Sequence, residues 1–284
     1  MALNQRRQEI LNLIREDGQA KVQKLAKIFK VSEVTIRQDL MELEELGFVQ
    51  REYGGAYLKD VGNFASTGTL INENVRSEEK KEIALKALQF IKDGDTIILD
   101  SGTTTTELAK LMNGFKDLNV ITNALNIALI LSARNPGINL LVSGGEFKAP
   151  TLSLTGDMAA GSFKGIHVSK CFLATAGISP DMQLTYPSLS DLPVKSAMIR
   201  AADKVYLLAD SSKIGTSSFA SLGRLSLIDT LITDSKITPA QMEAIRELKV
   251  EVISRKPAIT AGFLTQSFNL KTFYLNNIGA NSER

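Results

Sequence analysis

Beyond residue 76, short apolar runs alternate with stretches of helical spacing, and this alternation limits the possible folds more than any other feature. The runs that we interpret as strands are residues 96–100, 119–122, 138–143, 170–176, 204–210, 230–233 and 250–254. Helical patterns occupy residues 77–94, 101–112, 123–133, 191–202 and 241–248. Strands that are apolar almost throughout are typical of a parallel sheet covered by helices on both faces. The pattern therefore predicts an α/β domain with a largely parallel sheet.

Polar and glycine residues gather just after several of these strands. They are Asp100, Ser101, Gly102, Thr103, Thr104, Thr105, Asn123, Gly144, Gly145, Glu146, Asp210, Ser211, Ser212 and Lys213. In an open parallel sheet the carboxyl ends of the strands share one edge, which is where ligands bind. The turn at Gly102 suits an anion, because the backbone can come close and free N–H groups face a phosphate together with the helix dipole. Lys213 would add the opposing charge.

Each part of this arrangement also has a purely structural explanation. A Gly-Thr turn before a helix is often only an N-cap, and Gly144-Gly145 is often only a tight turn. Lys213 fits a solvated surface lysine equally well. The convergence of these residues after different strands is what favours a ligand site.

Residues 1–58 follow another pattern. Apolar spacing predicts helices over residues 5–16, 21–29 and 33–46, and residues 48–58 predict two short strands around Gly54-Gly55. The third helix begins after Ser32 as N-cap, and its inner face is predicted to be Ile36, Leu40, Leu43 and Leu46. Three short helices with a hairpin are the outline of a winged helix-turn-helix, whose recognition helix would be the third.

The charge of this first unit is polarised. Residues 20–38 carry five basic side chains against Glu33 alone, and residues 39–52 carry five acidic side chains against Arg51 alone. The formal charge of the whole chain, +2 from 33 basic and 31 acidic residues, therefore excludes a uniformly positive protein but not a DNA-binding face. A small helical subdomain with solvated charges is the alternative.

Several classes of protein are excluded by what the chain lacks. A single cysteine, Cys171, and a single histidine, His167, can form neither an internal disulfide nor a Cys/His zinc site. We expect Cys171 to be inert core and His167 to be structural or at the surface. No apolar run approaches about 18 residues and the N-terminus lacks a secretory core, so we expect a cytoplasmic protein without membrane contact. No cofactor and no metal are expected.

Ordered motifs in both halves resemble the DeoR-type family of bacterial transcription regulators. The first half has Ser32-x-x-Thr35-Ile36-Arg37-x-Asp39-Leu40, then Gly47, Arg51 and Gly54-Gly55-Ala56. The later half has ILDSGTTT (98–105), VITN (120–123), SGGE (143–146), TAGIS (175–179) and ADSSK (209–213). The resemblance covers about residues 3–255. It implies a winged helix-turn-helix followed by an α/β sensor domain similar in fold to ribose-5-phosphate isomerase.

The resemblance also implies a function. It indicates a homo-oligomeric repressor of a carbohydrate-utilisation operon, with operator DNA and a phosphorylated sugar effector as partners and with no catalytic residues. Thr35, Arg37 and Gln38 would be the leading groove contacts, and Lys30, Ser32 and Arg51 complete the candidate DNA-binding set. Asp100 to Thr105 would be the phosphate loop, with Asn123, Gly144, Gly145 and Lys213 lining the sugar side.

The chain departs from the family in two places. Many relatives have arginine where Gln38 stands, and glutamine could read adenine instead. Residues 184–199 depart from the acidic pattern that precedes the equivalent of Val194-Lys195 in many relatives.

We predict a DNA-binding domain at 1–58, a linker at 59–76, an effector domain at 77–255 and a C-terminal extension at 256–284. The alternative is a sugar-phosphate isomerase or deaminase with an accessory N-terminal domain. Its general base would have to come from Glu146, Asp181 or Asp210.

Overall fold

The computed structural model describes residues 3–255, apart from residues 18, 53, 59–75, 136 and 149–150. The predicted linker, except Arg76, and the predicted extension at 256–284 lie outside the described residues. Among the described residues, no helix is long and apolar enough to cross a membrane.

The first unit is a winged helix-turn-helix, as predicted. Its elements are α1 (Gln5–Asp17), β1 (Gln19–Lys21), α2 (Val22–Phe29), α3 (Glu33–Glu45), β2 (Val49–Glu52) and β3 (Gly55–Leu58). The three strands form an antiparallel sheet in the order β1-β3-β2, so the predicted hairpin is the wing. β1 was not predicted, because it is only three residues long.

One predicted core residue of this unit is wrong. Ile36, Leu40 and Leu43 are buried on the inner face of α3, but Leu46 is 45% exposed. The helix ends at Glu45, and Gly47 turns the chain with a φ of +80°. Leu46 therefore caps the last turn and does not extend the buried stripe.

The second unit holds the predicted α/β domain. Its helices are α4 (Ser77–Leu88), α5 (Thr103–Leu111), α6 (Leu125–Arg134), α7 (Gly156–Gly161), α8 (Asp191–Ala201) and α9 (Pro239–Glu247). Its main strands are β4 (Thr96–Leu99), β5 (Asn119–Thr122), β6 (Asn139–Val142), β9 (Val168–Ala174), β12 (Ala202–Leu208), β14 (Thr230–Ile232) and β15 (Glu251–Ile253). These seven strands are all parallel, in the order β15-β14-β12-β9-β4-β5-β6.

Helices cover both faces of this sheet, which explains why its central strands are apolar throughout. In β4, Ile97 and Leu99 face a core formed with α4, α5 and α6, whereas Ile98 faces a core formed with α7 and α8. Each face of the sheet therefore has its own hydrophobic core.

Two small antiparallel sheets complete the domain. They are the hairpin of β7 (Glu146–Lys148) and β8 (Ser153–Thr155), and the sheet of β10 (Gly177–Ile178), β11 (Gln183–Tyr186) and β13 (Ala220–Arg224). Both went unpredicted, because strands of two to five residues give too few positions for a periodic pattern.

A buried lysine fastens α4 to the sheet. The Lys86 side chain is fully buried, and its ammonium donates to Glu82 Oε1 at 2.8 Å. It also donates to the backbone carbonyl oxygens of Thr233 at 2.7 Å and Ser254 at 2.6 Å, just after β14 and β15. The three donors of the ammonium thus have three acceptors.

Candidate functional sites

The start of α3 is fixed by hydroxyl groups. Ser32 Oγ accepts the Thr35 backbone N–H at 3.1 Å and lies 2.8 Å from Thr35 Oγ1. Both residues are candidate DNA contacts. Ser32 is the N-cap of the helix, and Thr35 is the residue of the first turn whose N–H it accepts.

The outward face of α3 lies opposite its buried face and is polar except for Val34. Glu33, Val34, Arg37 and Gln38 share this outward face at helical spacing, and Val34 is 71% exposed. The Arg37 guanidinium donates to Glu33 Oε2 at 2.7 Å, with both side chains reaching solvent. Arg37 and Gln38 are thus exposed, as a contact to DNA requires, and their role stays a prediction. Glu33 and Val34, which were not among the predicted contacts, share the same face.

The remaining DNA candidates flank this helix. Lys30 is exposed in the turn between α2 and α3, where its φ is +52°. Arg51 lies on the wing, where its Nε donates to Glu44 Oε2 at 2.6 Å and its backbone N–H donates to Glu44 Oε1 at 2.8 Å. Arg51 is thereby held against α3.

A buried carboxylate fixes α3 to α1. Asp39 is 1% exposed and accepts from Arg6 Nε at 2.6 Å, from Arg6 Nη2 at 3.1 Å and from Arg7 Nε at 2.9 Å. Burial alone would raise the pKa of the Asp39 carboxyl, but hydrogen bonds from the two arginines outweigh burial and hold it below its usual range. From the sequence, Asp39 was counted in the acidic stretch 39–52 and as part of the motif after Thr35, and its burial was not predicted. The Arg6-Arg7 pair at the start of α1 was the available signal.

The second site lies at the carboxyl edge of the parallel sheet. Asp100, directly after β4, is fully buried and accepts the backbone N–H groups of Ser101 at 2.8 Å and Ala174 at 2.9 Å. Lys195 on α8 donates to Asp100 Oδ1, and its Nζ lies 3.4 Å from Ser101 Oγ. Burial raises the pKa of the Asp100 carboxyl, and Lys195 lowers it part of the way back.

Asn123, at the end of β5, joins the same cluster. Its Oδ1 accepts the Ser101 N–H at 3.0 Å, and its Nδ2 approaches Ser101 Oγ at 3.4 Å and the Leu154 carbonyl at 3.1 Å. Three predicted residues from two strands are therefore in direct contact, with Ser101 at their centre. Ser101 is partly exposed, so the cluster opens to solvent.

The loop after Ser101 brings the start of α5 to this edge. A Cβ at Gly102 would lie 2.6 Å from the Ala174 Cβ, so only glycine lets the loop pass there. Thr105 and Thr106 donate their hydroxyls to the Gly102 carbonyl at 2.9 and 2.7 Å. Thr104 and Thr105 are buried, whereas Thr103 is partly exposed. Of these three threonines only Thr103 therefore reaches solvent, and the first N–H groups of the helix have no acceptor within the helix.

Gly144 and Gly145 follow β6, the next strand along the edge. Gly145 has a φ of +127°, and a Cβ there would meet the Ala159 Cβ at 2.6 Å and the Thr155 carbonyl at 2.7 Å. Beside them, the buried Ser143 hydroxyl has no hydrogen-bond partner among the described residues. The backbone of this turn therefore packs closely against α7, and the unsatisfied Ser143 hydroxyl lies next to it.

Lys213 follows a strand that is not adjacent to β4 or β5. It ends the short turn Ser211–Lys213 after β12, which is two strands from β4 with β9 between them. Asp210 in the same motif is buried, and its Oδ1 accepts the Ser212 N–H at 3.2 Å. The structure brings Asp100, Ser101 and Asn123 together and leaves Lys213 on the other side of β9.

The residue that the sequence analysis missed here is Lys195. A lysine among buried neighbours of one helix, Val194 and Met198, was the signal that could have found it. As expected, Cys171 is buried, and burial raises the pKa of its thiol. His167 is exposed, with its Nε2 lying 3.1 Å from Asp203, as expected for a surface histidine.

Two family models match the chain. The "DeoR-like helix-turn-helix domain" matches residues 6–61, and the "DeoR C terminal sensor domain" matches residues 75–235.

Sequence relatives match along most of their length. The chain is 34% identical to the HTH-type transcriptional regulator GolR of Listeria innocua, over 87% of this chain and 97% of the relative. It is 32% identical to a putative aga operon transcriptional repressor of Escherichia coli O157:H7, over 88% and 93%. It is 36% identical to a lactose phosphotransferase system repressor of Streptococcus mutans, over 82% and 93%.

Solved structures with a similar fold include two kinds of protein. A D-ribose-5-phosphate isomerase in complex with phospho-erythronic acid has a TM-score of 0.36 at 19% identity, over 49% of this chain and 54% of that chain. The eIF2B delta subunit of Chaetomium thermophilum has a TM-score of 0.42 at 22% identity, over 57% of each chain.

Proposed function

Because the chain belongs to the DeoR family of transcriptional regulators, we propose that it represses a carbohydrate-utilisation operon and leaves its operator when a phosphorylated sugar binds. It is a DNA-binding regulator and not an enzyme, since its sequence relatives are named regulators and repressors. The isomerase or deaminase alternative is therefore set aside. As part of the proposal we place the protein in the cytoplasm with its operator.

The Asp100–Ser101–Asn123–Lys195 cluster beside the start of α5 carries the effector half of the proposal. The first N–H groups of a helix and a nearby ammonium attract a phosphate, while hydroxyl and amide groups suit a polyol. Lys195 is buried and held on Asp100, with its Nζ 3.4 Å from Ser101 Oγ, so its ammonium lies directly behind the partly exposed loop. The unsatisfied Ser143 hydroxyl supplies a further polar group after the third adjacent strand.

We propose that the functional state is a homo-oligomer, either a dimer or a tetramer. Two recognition helices at half-site spacing read a palindromic operator, whereas one short helix reads too few base pairs for specific binding. An effector that changes their spacing lowers operator affinity. A coupling free energy of about 1–3 kcal/mol is typical of such linkage and corresponds to a loss of roughly 5- to 150-fold.

The direct experiment is operator binding to DNA upstream of the protein's own operon, titrated with aldose and ketose phosphates. We expect one phosphorylated sugar to release the DNA and its unphosphorylated form to fail. Release by the unphosphorylated sugar alone would disprove the phosphate part of the proposal. Sedimentation of the same samples measures the oligomeric state.

We expect Arg37→Ala to weaken operator binding by about 10- to 100-fold, because one good side-chain contact to a base contributes about 1–3 kcal/mol of discrimination. Effector affinity, measured by calorimetry without DNA, should not change. Gln8→Ala, on an exposed position of α1, is the control. Equal losses of DNA and effector binding would contradict the assignment of the two functions to two domains.

We expect Lys213→Ala to lower effector affinity about 10-fold and to leave operator binding intact, since a hydrogen bond to a charged group contributes about 1.5–3 kcal/mol. This test matters because Lys213 lies beyond β9 from the Asp100 cluster. Lys164→Ala, at an exposed position after α7, is the control. Unchanged effector affinity in Lys213→Ala would confine the site to β4, β5, β6 and α8.

A further inference from the structure

Glu33 is the one acidic side chain on the outward face of the first turn of α3. It is 40% exposed, and its carboxylate accepts from Arg37, which is 58% exposed. We propose that Glu33 is a specificity-determining residue. Its carboxylate accepts a hydrogen bond from the amino group of a cytosine next to the guanine that Arg37 contacts. This inference rests on the DNA-binding part of the proposed function.

The position of Glu33 places it among base edges. Recognition helices of helix-turn-helix proteins contact bases with their N-terminal residues, and Glu33 is the first residue of α3. The inner face of the helix is occupied by Ile36, Asp39 and Leu40, which are buried. Glu33 and Arg37 therefore point away from the protein core, on the side that can enter the groove.

The two side chains can act at the same time. A guanidinium has five N–H donors in a flat fork, so Arg37 can keep one edge on Glu33 and give another to guanine O6 and N7. Their joined atoms are 2.7 Å apart, and neighbouring bases on one strand are 3.4 Å apart. The two side chains are therefore close enough together to contact neighbouring bases.

The chemistry of a carboxylate selects the base. An ionised carboxylate only accepts hydrogen bonds, while guanine and thymine present acceptors in the major groove, and adenine presents its N7 acceptor beside its amino group. The N4 amino group of cytosine is a donor without a neighbouring acceptor on that base. Glu33 thus favours cytosine and opposes guanine and thymine, and it fits adenine less well because the N7 acceptor lies beside the adenine amino group.

The same charge also opposes binding to arbitrary DNA. Phosphates repel a carboxylate, and a solvent-exposed ion pair between neighbouring helix turns contributes little to stability. Glu33 offsets one positive charge of the basic stretch 20–38, so it reduces the attraction that does not depend on sequence. Removing this charge should therefore strengthen non-specific binding while weakening discrimination.

The test compares wild type with Glu33→Gln as full-length proteins. Binding is measured to a randomised DNA pool and to the selected site with each base in turn at the cytosine position, at one salt concentration. For wild type we expect about a 10-fold loss when that cytosine is replaced. For Glu33→Gln we expect less than a 2-fold loss at that position and several-fold tighter binding to unrelated DNA, because glutamine both donates and accepts.

Glu78→Gln is the matched control. Glu78 pairs with Lys81 at 3.0 Å on α4 and is 86% exposed, so the same charge is removed outside the DNA-binding unit. A Glu33→Gln variant that keeps all base preferences would overturn the inference, as would one that loses only the guanine preference, since Glu33 would then merely position Arg37. Absence of specific DNA binding by wild type would refute the proposed function itself, and the inference with it.

Discussion

Lys195→Met will destabilise the α/β domain by about 3–5 kcal/mol, the usual result of removing one partner of a buried ion pair. Methionine keeps most of the side-chain volume but leaves the Asp100 carboxylate fully buried without its ammonium. The backbone N–H groups of Ser101 and Ala174 remain, yet they compensate only part of the charge. Chemical denaturation at pH 7 measures the loss, and effector titration should show no response.

The double variant Asp100→Asn/Lys195→Met is the control for this prediction. An uncharged amide needs no ammonium, so the double variant should recover much of the lost stability while remaining unresponsive to effector. An equally unstable double variant would show that Lys195 stabilises the domain by packing and not by charge.

The pH dependence of Lys195→Met has a definite sign. Burial raises the folded-state pKa of Asp100, and loss of Lys195 raises it further. When the pKa of an acid is raised in the folded state, the free energy of unfolding is highest at acid pH and falls as the pH rises through that pKa. The variant should therefore be closest to wild type at low pH. A deficit that is the same at all pH values would contradict an ionised, unpaired Asp100.

Asp39→Asn will destabilise the winged helix-turn-helix by about 2–3 kcal/mol and reduce operator binding with it. The expected loss is smaller than for Lys195, because Arg6 and Arg7 are 35% and 22% exposed and water can solvate them when the carboxylate is gone. Since the Asp39 pKa is lowered in the folded state, its contribution is present above the ordinary value of about 3.9 and is lost as the pH falls below it. Thermal unfolding from pH 7 to pH 3 measures this.

Glu42→Gln provides the comparison for Asp39. Glu42 is 35% exposed and shares Arg7, so its loss should cost less than about 1 kcal/mol. If both variants lost the same stability, Asp39 would be only another surface partner of the arginines.

The pattern of apolar residues predicted most of the fold. Most of the elements that it did not predict are short strands. Strands such as β5 (Asn119–Thr122) were predicted at their observed bounds, because a buried parallel strand is a continuous apolar run. The strands β1, β10 and β13 are only two to five residues long, and their pairing depends on residues elsewhere in the chain. Nothing in their own sequence marks such strands.

The candidate sites could be located from the sequence but not completed. Asp100 and Asn123 were predicted to lie close together, because each follows a parallel strand and the carboxyl ends of adjacent strands share one edge of the sheet. Lys195 comes from a helix about 95 residues further along the chain and reaches Asp100 only through the folded packing. The burial of Asp39 was not predicted for the same reason, because its arginine partners lie more than 30 residues earlier in the chain.

The order of strands in the parallel sheet has a consequence for how the protein forms. The central strand β9 pairs with β4, which lies about 70 residues earlier, so β4 lacks one neighbour until residue 174 has been synthesised. The winged helix-turn-helix needs only contacts within its first 58 residues. Local contacts form faster than distant ones, and N-terminal units fold first during synthesis. On a ribosome, the DNA-binding unit can therefore fold before the parallel sheet of the second unit has its central strand.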